Sequence, residues 1–318
     1  YIQQKQNSGS NPNQKTQTLS QRRFLKFQKK LSSSLFAQSC FLSTYGGTSH
    51  MSLDDIYTDG QLELAEDCPN VHGPIGLEDI IGEVGTMNKE ADTVLVSGEV
   101  GSGKSTLLQR LHLLWAQGAA LQEYLLLFPF NCRRLNSELS ELSFKEVVFE
   151  EWWWGEREED EIFELMEEEG DVMVFSFDGV DEVKDCFEMK RVCGGEGMFV
   201  DLRLLYFNLV EGFVIKGVGK VVRSGGVGVS GVLKKRVGKE VLRGFSGSGI
   251  DWFVKKEESK GGVGGKVLEW LDRKSRLLGV FDSGVVWIVW LLEKDVVMCG
   301  EGMGERMRDV YVMIVEEF

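Results

Sequence analysis

A glycine-rich run ending in lysine and serine is the segment whose residue types and spacing point most directly to chemistry. Residues 98–105 match the pattern G-x-x-x-x-G-K-S. In such a loop the glycines let successive backbone N–H groups turn toward phosphate oxygens, the lysine reaches the β- and γ-phosphates, and the serine hydroxyl binds Mg²⁺. The residues predicted to bind ATP or ADP here are Gly98, Gly101, Ser102, Gly103, Lys104, Ser105 and Thr106.

The flanking residues have the pattern that this loop requires. Residues 93–97 form a β-branched apolar run that predicts a buried strand, and leucines recur at helical spacing over 104–116. A helix that begins at the loop adds partial positive charge where phosphate would lie. The alternative is an accidental glycine-rich turn, which chance would produce on the order of once per hundred chains of this size.

A second motif follows about 70 residues after the loop. The apolar run 172–177 predicts a strand that ends at Asp178, which places this carboxylate at the same sheet edge as the loop, where it can bind Mg²⁺. Asp181 and Glu182 lie just beyond and are the candidate catalytic residues that orient an attacking water.

Composition and charge narrow the classes of function. The 318-residue chain has a net charge of −14, yet its first 53 residues hold seven Lys/Arg and no acid. The acidic remainder argues against a nucleic-acid-binding surface. The six cysteines show no C-x-x-C pairing, and no apolar stretch is long enough to span a membrane, so we expect a cytoplasmic protein with reduced thiols. Because the first residue is Tyr1, we also expect a fragment.

The pattern along the chain predicts an α/β fold of the P-loop NTPase type: a parallel sheet with helices on both faces, followed by a small helical subdomain. Residues 1–52 are expected to be a disordered or spurious linker, 53–92 an acidic, partly helical segment, 93–247 the nucleotide-binding domain, and 248–318 a truncated helical subdomain. Predicted strands are 93–97, 124–130, 172–177 and 220–223; predicted helices of the domain are 104–116, 143–154, 159–169 and 200–211.

The amino-acid usage changes along the chain. Pro, Gln, Ala, His and Thr are absent after residue 129, while glycine and valine are frequent. Every codon for these five residue types has cytosine at its first or second base. We hypothesise a systematic cytosine-to-guanine error in the nucleotide sequence, which resequencing would test.

Five segments together resemble the NACHT ATPase module of NOD-like receptors, and the resemblance extends over about residues 53–318. The D-G-x-D-E form of the second motif is typical of that family. The segments are Leu53–Asp59, Ala91–Val96, Ser105–Trp115, Phe128–Arg133 and Phe177–Glu182.

The resemblance implies a nucleotide-driven switch in innate sensing. ADP would hold the receptor closed, and ATP would let NACHT modules self-associate. A death-fold adaptor or kinase would be recruited only by domains outside this chain, and a muramyl peptide would be sensed by the full receptor. The threonine that matches Thr58 lies near the adenine in this family. Where the family has a γ-phosphate-sensing arginine, this chain has Gly225, and a proline of the helical subdomain is replaced by Gly284.

Two other functions remain open at this stage. One is a continuously cycling P-loop ATPase, and the other is a scaffold that no longer responds to nucleotide, which the missing arginine would favour. The resemblance favours weak ATPase activity at most, and the acidic charge of the chain argues against a nucleic-acid partner.

Overall fold

Strands and helices alternate in the computed structural model, which describes residues 19–43, 50–58, 60–64, 77, 93–98, 102–132, 141–143, 145–146, 149, 159–168, 172–180, 200–201, 220–225 and 237–245. The helices are α1 (Leu19–Ser39), α2 (Leu53–Ile56), α3 (Lys104–Gln117) and α4 (Glu159–Glu168). The strands are β1 (Phe41–Ser43), β2 (His50–Ser52), β3 (Gly60–Leu64), β4 (Thr93–Ser97), β5 (Leu126–Asn131), β6 (Glu141–Leu142), β7 (Met173–Asp178), β8 (Val200–Asp201), β9 (Lys220–Gly225) and β10 (Val237–Phe245).

Six of these strands form one sheet in the order β3-β10-β4-β9-β7-β5. The five strands from β10 to β5 are parallel to their neighbours, and β3 pairs antiparallel with β10 at one edge. The carboxyl ends of β4, β9 and β7 therefore lie at one edge of the sheet, with β9 between the other two. This confirms the predicted α/β fold with a parallel sheet and adds one antiparallel strand.

The central strands are apolar because both faces of the sheet are covered. On β7, Phe175 and Phe177 face the same side as Phe128 and Phe130 of β5, whose rings they contact. Ser176 faces the opposite side, where His112 of α3 contacts it. Helix α3 covers that face, whereas Phe27 of α1 contacts Phe128 on the phenylalanine face, and Phe149 lies between Phe27 and Phe163 of α4. Helices therefore lie on both faces, as predicted.

For residues 19–39, helix α1 corrects the expectation of a disordered or spurious linker. Its apolar residues Phe24, Phe27, Leu31 and Leu35 are buried and recur at helical spacing, so one stripe of a polar segment enters the core. Helix α1 contacts both α3 and α4, and Gln28 Nε2 donates to Leu125 O at 2.9 Å. Helix α1 therefore packs beside the edge strand β5. Its buried apolar stripe, and not its polar overall composition, determines that it packs against the domain.

The predicted strands and the helices at 104–116 and 159–169 agree with the structure to within two residues or so at each end. The helix predicted over 200–211 begins instead with β8, which pairs with β6, and its remaining residues lie outside the described ranges. Most of the predicted helix at 143–154, and everything after residue 245, lies outside them too. The described helices include none that combines the length and apolarity needed to cross a bilayer.

Candidate functional site

The glycine-rich loop joins the carboxyl end of β4 to the N-terminus of α3. Gly98 is packed so closely that an added Cβ would lie 2.7 Å from Leu242 O of β10 and 2.6 Å from Ser102 Oγ. Gly103 adopts φ +94° immediately before α3, a conformation that favours glycine. Lys104 Nζ donates to Gly98 O at 2.8 Å, so the ammonium group folds back over the loop at the start of the helix.

The two predicted Mg²⁺ ligands are brought together by α3 and β7. Ser105 Oγ donates to Asp178 Oδ1 at 3.0 Å, although 73 residues separate them in sequence. A hydroxyl and a carboxylate oxygen are hard ligands of the kind Mg²⁺ prefers, and Mg²⁺ usually keeps several waters besides one or two carboxylates. A Mg²⁺ ion held by this hydroxyl and carboxylate would take its remaining ligands from waters and phosphate oxygens.

Ser102 provides an independent test of whether a phosphate fits this loop. Its side chain is 6% exposed, and its Oγ finds no hydrogen-bond partner among the described residues. A buried hydroxyl without a partner is destabilising, and a phosphate oxygen would satisfy it. The orphaned hydroxyl, the close packing at Gly98 and the oxygen pair at Ser105 and Asp178 all fit a Mg²⁺–nucleotide.

The segment that contains Thr58 is attached to α3 at the middle and at the C-terminal end of the helix. Arg110 forms an ion pair with Asp54, and its guanidinium lies 5.2 Å from the centre of the Tyr57 ring. Gln117 Nε2 donates to the second oxygen of Asp54 at 2.8 Å. The hydrogen bond from Arg110 is the largest effect lowering the pKa of Asp54 below its usual 3.8. Thr58 follows directly after this attachment, and its predicted contact with adenine stays a prediction.

The structure describes some of the remaining predicted site residues and not others. Thr106 lies in the first turn of α3, whereas Gly101, Asp181 and Glu182 lie outside the described residues. Gly225, at the position of the expected sensor arginine, ends β9 and pairs in register with Ser97, the residue before the loop. The backbone thus places position 225 beside the loop.

Sequence patterns did not predict two features of the site. One is the close approach of the Leu242 carbonyl to Gly98. It was not predicted because β10, which carries Leu242, contains glycines and charged residues that obscure its strand pattern. The other is the hydrogen bond between His112 Nε2 and Ser176 Oγ, at 2.7 Å. Burial lowers the pKa of His112 to about 3, so the ring is neutral at physiological pH.

Comparison with known proteins finds a family model and curated relatives that match this chain. A family model described as "NACHT domain" matches residues 92–257. Nucleotide-binding oligomerization domain-containing protein 2 of Homo sapiens is 38% identical over 302 residues, which cover 92% of this chain and 29% of that protein. Nucleotide-binding oligomerization domain-containing protein 1 of Homo sapiens is 26% identical over 308 residues, covering 92% of this chain and 32% of that protein.

The chain therefore spans less than a third of the length of these curated relatives. Among solved structures, a signal transduction ATPase with numerous domains (STAND) protein with a tetratricopeptide repeat sensor, from Pyrococcus horikoshii, aligns with 77% of this chain and 33% of its own. Its TM-score is 0.35 and its sequence identity 13%.

Proposed function

This chain belongs to the NACHT domain family, and from that premise we propose that it is the ATP/ADP-binding switch module of a cytosolic NOD-like innate immune receptor. ADP would hold the receptor closed, and exchange for ATP would let NACHT modules of several copies associate in response to bacterial peptidoglycan fragments such as a muramyl peptide. A death-fold adaptor or kinase would be recruited by other domains of the receptor.

The observation that best supports nucleotide binding is the approach of Ser105 Oγ to Asp178 Oδ1 at 3.0 Å, beside the N-terminus of α3. When bound, Mg²⁺ would neutralise phosphate charge at this point. Lys104 would bind the β- and γ-phosphates, and loop N–H groups together with the Ser102 hydroxyl would bind phosphate oxygens. Ser105 and Asp178 would hold the ion, and Thr58 would contact the adenine.

We propose slow hydrolysis, which suits a switch better than a continuously cycling ATPase. Gly225 has no side chain to sense a γ-phosphate, although its backbone is paired beside the loop. Asp181 and Glu182 would still orient a water. An ATP-bound state would then persist long enough for receptor copies to assemble.

A titration with fluorescent ADP, with and without Mg²⁺, tests the proposal. We expect saturable binding that Mg²⁺ strengthens and that Lys104→Ala weakens by about tenfold to a hundredfold, since a charge-assisted contact contributes ~1.5–3 kcal/mol. Lys145→Ala is the matched control, because it removes the same charge from an ion pair with Asp160 outside the loop. Absence of saturable binding by the folded wild-type chain would refute the proposed function.

The same protein distinguishes the two alternatives. A continuously cycling ATPase would release phosphate steadily and would lose that turnover in Lys104→Ala. A scaffold that ignores nucleotide would show no ADP-dependent rise in melting temperature, whereas a switch module would be stabilised by RT ln(1 + [ADP]/Kd), so its melting temperature would keep rising as ADP is added. Nucleotide-dependent self-association on addition of a muramyl peptide requires the whole receptor and tests the remaining part of the proposal.

A further inference from the structure

We propose that His112 and Ser176 are positioning residues whose hydrogen bond holds Ser105 against Asp178 and so sets how strongly Mg²⁺ favours nucleotide binding. This inference rests on the proposed function, because it concerns the same Mg²⁺ pair. It adds a specific cause for the geometry of that pair, in side chains that would touch neither nucleotide nor metal.

The argument begins with spacing along the two elements. Ser105 and His112 are seven residues apart on α3, which is two helical turns and places both on the same face. Ser176 and Asp178 are two residues apart on β7, so they too share a face. The structure joins them in two pairs, Ser105 to Asp178 at 3.0 Å and His112 to Ser176 at 2.7 Å.

Two polar contacts between the same helix and strand restrain the helix more than one contact can. With the Ser105–Asp178 contact alone between them, α3 could pivot against β7 about that point or turn about its own axis, within the limits set by its contacts with other elements. Those contacts include the ion pair of Arg110 with Asp54 and the hydrogen bond from Trp115 Nε1 to Tyr124 O at 2.9 Å, and neither involves the strand that carries Asp178. The second hydrogen bond, about 10 Å further along α3, opposes both movements.

Helix α3 would move more readily than β7. Ser176 is 1% exposed, and its strand is paired on both sides, with Pro129 of β5 and Val222 of β9 in register. The neutral His112 ring adds no charge to the Mg²⁺ site, so its contribution is geometric. Partners that orient metal ligands typically change metal affinity by about 10- to 100-fold when removed.

The test measures the ratio of ADP affinity in Mg²⁺ to ADP affinity in EDTA, on the whole chain. Ser176→Ala removes one buried oxygen and is expected to reduce this ratio by about tenfold, while affinity in EDTA stays within about twofold. Ser32→Ala is the matched control, because Ser32 Oγ donates to Ala116 O at 3.0 Å and so bonds the other end of α3. It should leave the ratio unchanged.

His112→Phe should reduce the ratio as Ser176→Ala does, and the double variant should reduce it no further, because either change removes the same hydrogen bond. If Ser176→Ala folds poorly, Ser176→Cys keeps most of the volume with a weaker hydrogen bond and supports the same comparison. An unchanged ratio in folded Ser176 or His112 variants overturns this inference while leaving the proposed function intact. A wild-type chain that does not bind ADP refutes the proposed function itself.

Discussion

Replacing Gly98 by alanine is expected to damage the nucleotide site through a backbone collision. The added Cβ would lie 2.7 Å from Leu242 O, about 0.7 Å closer than the 3.4 Å at which ordinary contact begins. Ser102 Oγ, at 2.6 Å, can rotate aside, but the carbonyl of Leu242 belongs to β10 and cannot. Since β10 pairs with β4 through Val241 and Ser97, relief requires either that pairing or the loop to shift.

Overpacking of this kind costs about 1–3 kcal/mol in the free energy of unfolding. A site that needs its donors placed within about 0.5 Å also loses affinity when its loop is displaced. We therefore expect Gly98→Ala to bind fluorescent ADP at least about tenfold more weakly than wild type. Urea denaturation and the ADP titration, run on the same preparation, measure the two effects.

Gly118→Ala separates the loss of the site from a general loss of stability. Gly118 ends α3 with φ +73°, and the nearest atom to an added Cβ is Gln122 Oε1 at 3.7 Å, so there is room but the backbone is unfavourable for alanine. This variant should lose about 1 kcal/mol of stability and keep its ADP affinity. If both variants bind ADP like wild type, the close approach of β10 does not govern the loop and the reasoning is wrong.

Three further predictions concern stability. Because the pKa of His112 falls from 6.5 to about 3 on folding, the unfolded chain binds more protons below pH 6.5, so the free energy of unfolding decreases from pH 6.5 toward pH 3. At pH 5 the decrease in the free energy of unfolding, measured by urea denaturation, is at most about 2 kcal/mol, and His112→Phe should make the free energy of unfolding less dependent on pH. Arg110→Gln should lower the free energy of unfolding by about 0.5–1 kcal/mol, and by less in high salt, since Asp54 is 46% exposed. The contribution of this ion pair is present above pH 3.8 and is lost as the pH falls below that value. Phe27→Ala should cost about 3–5 kcal/mol in thermal or urea unfolding, whereas Phe36→Ala, at an exposed position, should cost little; equal effects would contradict the packing of α1.

Local residue patterns predicted the parts of the fold that are buried on every side. Strands β4 and β7 are continuous apolar runs because both of their faces are covered, and α3 has closely spaced leucines without a breaker. The edge of the sheet was harder to predict. Strand β3 is a five-residue edge strand, and β10 contains glycine, lysine and glutamate, so neither has a strong strand pattern.

Helix α1 was missed for a different physical reason. Composition averages over all faces of a helix, and residues 19–39 are rich in serine, glutamine and lysine. Burial depends on one face only, and Phe27 and Leu31 lie on that face with no exposed surface. Hydrophobic spacing at a helical period, applied to the terminal segment as it was to the central domain, would have found the helix.

Some residues of the proposed site are close together in sequence, whereas others are brought together by the fold. Loop residues such as Gly98 and Lys104 lie within a few residues of one another, so spacing alone was enough to predict them as phosphate-binding residues. The Ser105–Asp178 pair depends on strand order, because β9 lies between β4, which leads into the loop, and β7, which ends in the carboxylate. Helix α3 reaches Asp178 only because it contacts both β9 and β7. The crossing of α3 over β7 therefore determines the geometry of the Ser105–Asp178 pair, and no short sequence motif encodes that crossing.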